Sequence, residues 1–168
     1  RSSPVAFGSK RLPSGYSTWP IGKPVPKDAV AVAAEIFAFD ALIANADRRP
    51  ENPNCLFQGA TLAIFDHELA FMTEGVIGWR PPWEIGALES LRRPGSRLFT
   101  NQLRGKALNF DRLEGAWLAV SNARLTAYRK ALPIEWAAGK ETIDQALSLI
   151  AQVRDNLVSA LQEVLRVL

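Results

Sequence analysis

Residues 28–168 predict a mainly α-helical lobe that carries one small β-hairpin. Three observations lead there. Apolar residues recur at three- and four-residue spacing from Ile143 to Leu168, two short apolar runs flank Gly59, and Asp28 opens an alanine-rich helical stretch. With 48% hydrophobic content, 168 residues are enough to bury one core, so one domain is the expectation.

Ahead of that lobe, residues 1–27 hold five cations (Arg1, Lys10, Arg11, Lys23, Lys27), five prolines, three glycines and no acid. Such a composition predicts a basic extended arm or connecting segment rather than a packed element. Val5, Phe7, Tyr16, Trp19 and Ile21 are apolar enough to lie along a surface groove. From Asp28, a good N-cap, to about Asn45 the spacing of Val30, Ala34, Phe37, Ala41 and Leu42 predicts a helix with one apolar stripe. The runs Cys55-Leu56-Phe57 and Leu62-Ala63-Ile64-Phe65, separated by Gln58-Gly59-Ala60, then read as a hairpin.

Beyond Phe71 the pattern weakens. Residues 75–82 form a turn-rich linker, and a short helix is expected from Trp83 or Glu84 to about Leu91. Trp79 and Trp83 read as core plugs or as substrate contacts. Residues 92–106 carry Arg92, Arg93, Arg97, Arg104 and Lys106 with no acid, which reads as a solvated basic face or a contact for an acidic or phosphate-rich partner. Phe99 is the sole aromatic there, too thin for base stacking, so direct nucleic-acid binding is not expected. Two long helices should close the chain. One opens at Asn109 or Asp111 and runs to about Ala131, before Pro133; the other starts near Thr142, where Thr142 and Gln145 have capping-box spacing, and continues to the end.

No run approaches the ~18 apolar residues of a membrane span, and the start lacks a signal-peptide pattern. A single cysteine excludes an intrachain disulfide and fits a reducing, cytoplasmic setting; Cys55 itself reads as buried filler. The chain begins at Arg1 and its one methionine is Met72, so it reads as part of a longer or processed product. A net charge of +3 decides little.

Chemistry concentrates between Phe37 and Phe71. A hairpin returns the chain to where it left, so Asn52 before the first run and Asp66 after the second should meet at its open end, with Asp47 on the connecting loop facing the same point. A carboxylate and an amide oxygen suit a hard cation such as Mg²⁺. A second carboxylate, not needed as ligand, can orient a hydroxyl nucleophile and accept its proton. Taken singly, these residues read as turn formers or caps. Taken together, their order is that of the parts used in protein-kinase phosphoryl transfer.

At these residues the chain resembles the HipA-like kinases, a lipid-kinase-like variation on the protein-kinase fold. The likeness rests on Asn45-Ala46-Asp47-Arg48-Arg49-Pro50-Glu51-Asn52-Pro53-Asn54 and on Ile64-Phe65-Asp66-His67-Glu68; it covers residues 36–71 and, faintly, 5–12. It implies a catalytic base at Asp47, Mg²⁺ held by Asn52 and Asp66, and ATP beside Arg49 and Asn52. Arg49 occupies a position often held by His in relatives, and His67 is expected to support the loop. The implied activity is ATP-dependent phosphorylation of a protein Ser or Thr, with a DNA-binding antitoxin as partner by analogy. No G-x-G-x-x-G loop or strand lysine is found upstream, so residues 28–168 are expected to be a kinase-like large lobe without a recognisable small lobe, residues 1–27 resembling the interlobe segment. Lacking those parts, the chain has a second reading as a non-catalytic interaction module. A third, a small helical nucleic-acid binder, predicts steeply salt-dependent affinity.

Overall fold

The computed structural model describes Gly8 and residues 10–168. It is mainly helical, with a small antiparallel sheet. Strand β1 is Ser17–Thr18, helix α1 is Val30–Leu42, and strands β2 (Cys55–Gln58) and β3 (Thr61–Ile64) form the hairpin. Five further helices follow: α2 (Thr100–Leu103), α3 (Asp111–Leu118), α4 (Asn122–Lys130), α5 (Lys140–Asp155) and α6 (Leu157–Val167). Among the described residues no helix is long and apolar enough to cross a membrane.

The hairpin forms as its sequence predicts. Cys55 pairs with Ile64 and Gln58 with Thr61, leaving Gly59-Ala60 as a two-residue turn. Gly59 supplies φ 59° at the first central position, the conformation that a primed hairpin turn requires there. A third strand was not expected. Ser17 and Thr18 pair with Phe57 and Leu56, and the Trp19 N–H donates to the Cys55 carbonyl (2.8 Å). Trp19 is 2% exposed and meets the rings of Phe57 and Phe99 edge-on at 5.5 and 5.2 Å. This part of the basic arm is therefore packed, because its indole finds aromatic partners on both sides. Ile21 stays exposed, and Val5 and Phe7 lie outside the described residues.

Helix α1 differs from the expected one-sided stripe. Residues 33–38 and 40–42 are all buried, and the helix contacts α2, α6 and β3. A helix buried around its whole circumference is a core rod, and its alanines permit the close approach. Asp28 does not cap it; Asp28 lies in a 3₁₀ turn, Lys27–Ala29, that leads in without a side-chain cap. The helix stops at Leu42 rather than Asn45 because Ala44 turns left-handed (φ 55°) and the Asn45 N–H returns to the Asp40 carbonyl (2.8 Å).

Each of the two long C-terminal helices is broken in two. Ser121 adopts an extended backbone and its Oγ accepts from the Arg124 N–H, starting α4 afresh, while Arg154 of α5 donates to the Val120 carbonyl (2.7 Å). Asn156 leaves helical geometry (φ −118°), and its Nδ2 donates to the Gln152 carbonyl (2.8 Å). Helix α5 begins at Lys140, so Thr142 is inside it and the capping box is not used. The apolar repeat survives the break: Leu149, Val153, Leu157, Ala160, Leu161, Val164 and Val167 are buried in the same core as α1. Tyr128 is exposed. The helix expected at 83–91 is a run of turns followed by a 3₁₀ turn, Glu89–Arg92, because Gly86 sits at φ 85°. Glu163 of α6 holds that segment by accepting the Leu88 N–H (3.1 Å), while Arg166 pairs with Glu89 (2.7 Å).

Trp19→Ala should lower stability by about 3–5 kcal/mol, the range for emptying a buried aromatic site. Urea unfolding followed by circular dichroism measures it, and a loss under about 0.5 kcal/mol would return Trp19 to a surface connector.

Candidate active site around the buried Arg48

The loop between α1 and β2 is built around one buried cation. Arg48 is fully buried and spends four of its five N–H donors locally. Its Nε donates to Asp40 Oδ2 on α1 (2.7 Å), Nη1 to the Asn54 and Phe65 carbonyls (3.2 Å to the latter), and Nη2 to His67 Nε2 (2.9 Å). One guanidinium thus joins the core helix, the chain entering β2 and the chain leaving β3. Asn45 Nδ2 donates to the other Asp40 oxygen (2.8 Å), so both oxygens of that buried carboxylate are engaged. Burial pushes the Asp40 carboxyl up, against the opposing pull of Arg48 and Asn45. Because Arg48 is only a donor, His67 Nε2 must be its acceptor, which makes His67 neutral with its proton on Nδ1. Burial and then the Arg48 charge push its pKa below the usual 6.5.

On this base stands Asp47, partly buried. Asn52 Nδ2 (2.6 Å) and Asn54 Nδ2 (3.1 Å) both donate to its Oδ2, and its N–H donates to Asn45 Oδ1 (3.2 Å). The backbones of Arg49 and Asn52 pair with each other in both directions at 3.1 Å, closing the loop into a small ring. Oδ1 of Asp47 remains, with the half-exposed Arg49 guanidinium 3.8 Å away. Since Asn52 spends its amide nitrogen on Asp47, its Oδ1 is left as a free acceptor on an exposed residue.

Of the residues picked out by spacing, Asp47 and Asn52 touch. Asp66 is brought to the same end of the hairpin but does not touch either. It lies between Phe65, whose N–H donates to the Asn54 carbonyl (3.1 Å), and His67 on Arg48. Its side chain is exposed and makes no hydrogen bond or ion pair with the described residues. Among the described residues no three His, Cys, Asp or Glu side chains gather as a metal-holding group; the candidate oxygen ligands are one carboxylate, Asp66, and one amide, Asn52. Two protein oxygens with water and phosphate completing the shell is a set that fits Mg²⁺. Among the described residues, four of the five non-glycine residues with positive φ fall here: Ala44 (55°), Asn54 (40°), Asp66 (56°) and Phe71 (64°). Such conformations cost about 1–3 kcal/mol each where the side chain does not tolerate them, and they concentrate at functional sites.

Spacing alone missed the roles of Asp40, Asn54 and Arg48. A carboxylate near the end of an alanine-rich, largely apolar helix, eight residues before an arginine, was the available signal for the Asp40–Arg48 pair. Arg97, read only as part of a basic segment, reaches the loop: its Nη1 lies 3.5 Å from the Ala46 carbonyl, and the Leu98 N–H donates to the Arg48 carbonyl (2.9 Å).

No family model matches the chain, and no curated protein or solved structure gives a significant match to it.

Arg48→Ala or Asp40→Ala should destabilise the protein by about 3–5 kcal/mol, because each strands a buried charge. Arg48→Lys should recover little, since one ammonium cannot reach three directions. A double-mutant cycle in urea measures the coupling, and additivity within about 0.5 kcal/mol would remove the pair from its central place. Stability should also depend on pH through His67. Its folded-state pKa is lowered, so its contribution is fully present above the unfolded value of 6.5 and lost as pH falls through the folded value. Asp40 acts with the opposite sign, its raised pKa disfavouring the fold as pH rises above 3.8. Melting temperatures at pH 7.5 and 5.5 should fall further for the native protein than for His67→Gln, which keeps an acceptor but does not titrate. Equal slopes would contradict the assignment.

Proposed function

We propose that residues 28–168 form the large lobe of an ATP- and Mg²⁺-dependent phosphotransferase that acts on a Ser or Thr hydroxyl of a protein, as in the HipA-like kinases its loop resembles. The supporting observation is the arrangement on Asp47: two amide donors hold one oxygen, and the other accepts no hydrogen bond, with only the half-exposed Arg49 guanidinium 3.8 Å away. A carboxylate anchored on one side is oriented for a hydroxyl on the other.

In this reading Asp47 Oδ1 receives the hydroxyl hydrogen bond and takes the proton as the hydroxyl oxygen bonds to the γ-phosphorus of ATP and the bond to the bridging oxygen breaks, releasing ADP. Asn52 Oδ1 and Asp66 would hold Mg²⁺, which would neutralise the charge developing on the phosphates. Arg49 adds a cation beside Asp47. His67 is not a base here; neutral and bonded to Arg48, it fixes the backbone on which Asp66 is carried. The resemblance places the phosphate-covering loop and strand lysine in a small lobe outside residues 1–168, and an antitoxin partner and a cytoplasmic location rest on the resemblance alone.

The test uses the full-length product of the reading frame that contains this chain, titrated with ATP in the presence and absence of Mg²⁺. Asp66→Asn should weaken Mg²⁺-dependent nucleotide binding by roughly tenfold or more. Asp47→Asn should leave binding within about twofold and reduce phosphoryl transfer by roughly 10²–10⁴. Binding that is the same in all three proteins would overturn the metal assignment, and an absence of Mg²⁺-dependent binding would favour the non-catalytic interaction module.

A further inference from the structure

Beside the Asp47 loop runs a groove of about 290 Å³, bordered on one side by Ala44 and Ala46 and on the other by the segment from Met72 to Arg80. Its outer wall is apolar and open. Ile77 is fully exposed, Met72 is 58% and Val76 51% exposed, and Trp79 is half-buried at its foot. Three large apolar side chains held in solvent within six residues are a surface that gains by being covered.

The groove also carries an unbalanced charge. Arg80 and Arg97 line it, and no acidic residue does. Arg80 is already balanced by Glu84 (2.9 Å) and the Ile85 carbonyl (3.0 Å). Arg97 is not: its Nη1 meets only the Ala46 and Ser96 carbonyls (3.5 and 3.0 Å), and its Nε is buried without a hydrogen-bond partner. Burial lowers its pKa, opposed by the Asp40 charge and aided by that of Arg49. A part-buried guanidinium that lacks a carboxylate is half of an ion pair.

We propose that this groove seats an extended protein segment, with an apolar side chain against Met72, Val76 and Trp79 and a neighbouring Asp or Glu on Arg97. It rests on the function proposed above for its direction: Ala46, which Arg97 contacts, directly precedes Asp47. At about 3.3 Å per residue of extended chain, the acidic residue falls within roughly three positions of the accepting hydroxyl. The substrate class is thus a Ser or Thr flanked by an acid and an aliphatic residue. An acidic segment also suits the excess of cations in residues 92–106.

The probes are fluorescein-labelled eleven-residue peptides with a central Ser and a Leu, bearing either Glu or Lys within three positions of the Ser. Anisotropy titrations use the full-length protein. The Glu set should bind at least about tenfold more tightly than the Lys set, with the difference shrinking in high salt. Arg97→Glu should invert that preference, Arg97→Lys should preserve its sign, and Ile77→Asp, at a fully exposed position that leaves the fold intact, should weaken the Glu set. Absent binding, equal binding of both sets, or a preference unchanged in Arg97→Glu would overturn the proposal. An inverted preference without phosphoryl transfer would keep the groove and remove the kinase reading. Asp66-dependent ATP binding without a peptide preference would do the reverse.

Discussion

A buried guanidinium must find a counter-charge and an acceptor for nearly every donor, and Arg48 meets that demand by drawing three parts of the chain to one point. Asp40 supplies the charge from the core helix, the Asn54 and Phe65 carbonyls come from the two ends of the hairpin, and His67 closes the ring. None of these groups would be stable in the interior alone. The loop from Ala44 to Asn54 therefore has little freedom, although it contains no regular element. Its left-handed residues persist because the surrounding bonds over-determine them.

Above this fixed base the polar groups are arranged differently. Arg48, Asp40 and Asn45 are sealed from solvent, whereas Asn52 and Asp66 are exposed and Asp47 is only partly covered. The buried set has a partner on every charged or amide side chain; the outer set keeps Asp47 Oδ1, Asn52 Oδ1 and both Asp66 oxygens uncommitted to hydrogen bonds. A rigid inner shell that presents free oxygens outward is what a ligand or reacting group requires, because little reorganisation is left to be done on binding. The same contrast recurs at Arg97, which is held on one side by the loop's own carbonyl and left unmatched on the other.

The legible parts were those set by short-range rules. The hairpin followed from two apolar runs and a glycine, and the apolar repeat of residues 149–167 kept its inward face. Asp47 and Asn52, five residues apart on one loop, do touch, whereas the hairpin's own expectation, Asn52 meeting Asp66, is not a contact, because Asp66 points to solvent. The breaks at Ser121 and Asn156 were harder to read, since they depend on one side chain competing with a backbone bond inside an otherwise continuous apolar pattern. Trp19 could be placed only once its partners Phe57 and Phe99, 38 and 80 residues away, had been brought together.

By itself the sequence determined the helical class, the position of the hairpin and which polar residues flank its open end, because periodicity and turn chemistry act over a few residues. Tertiary structure decided that α1 is a core rod, that β1 completes the sheet, and that Arg48 rather than any surface residue organises the loop. Those outcomes depend on burial and on the pairing of a desolvated charge. Neither exists until distant segments have met.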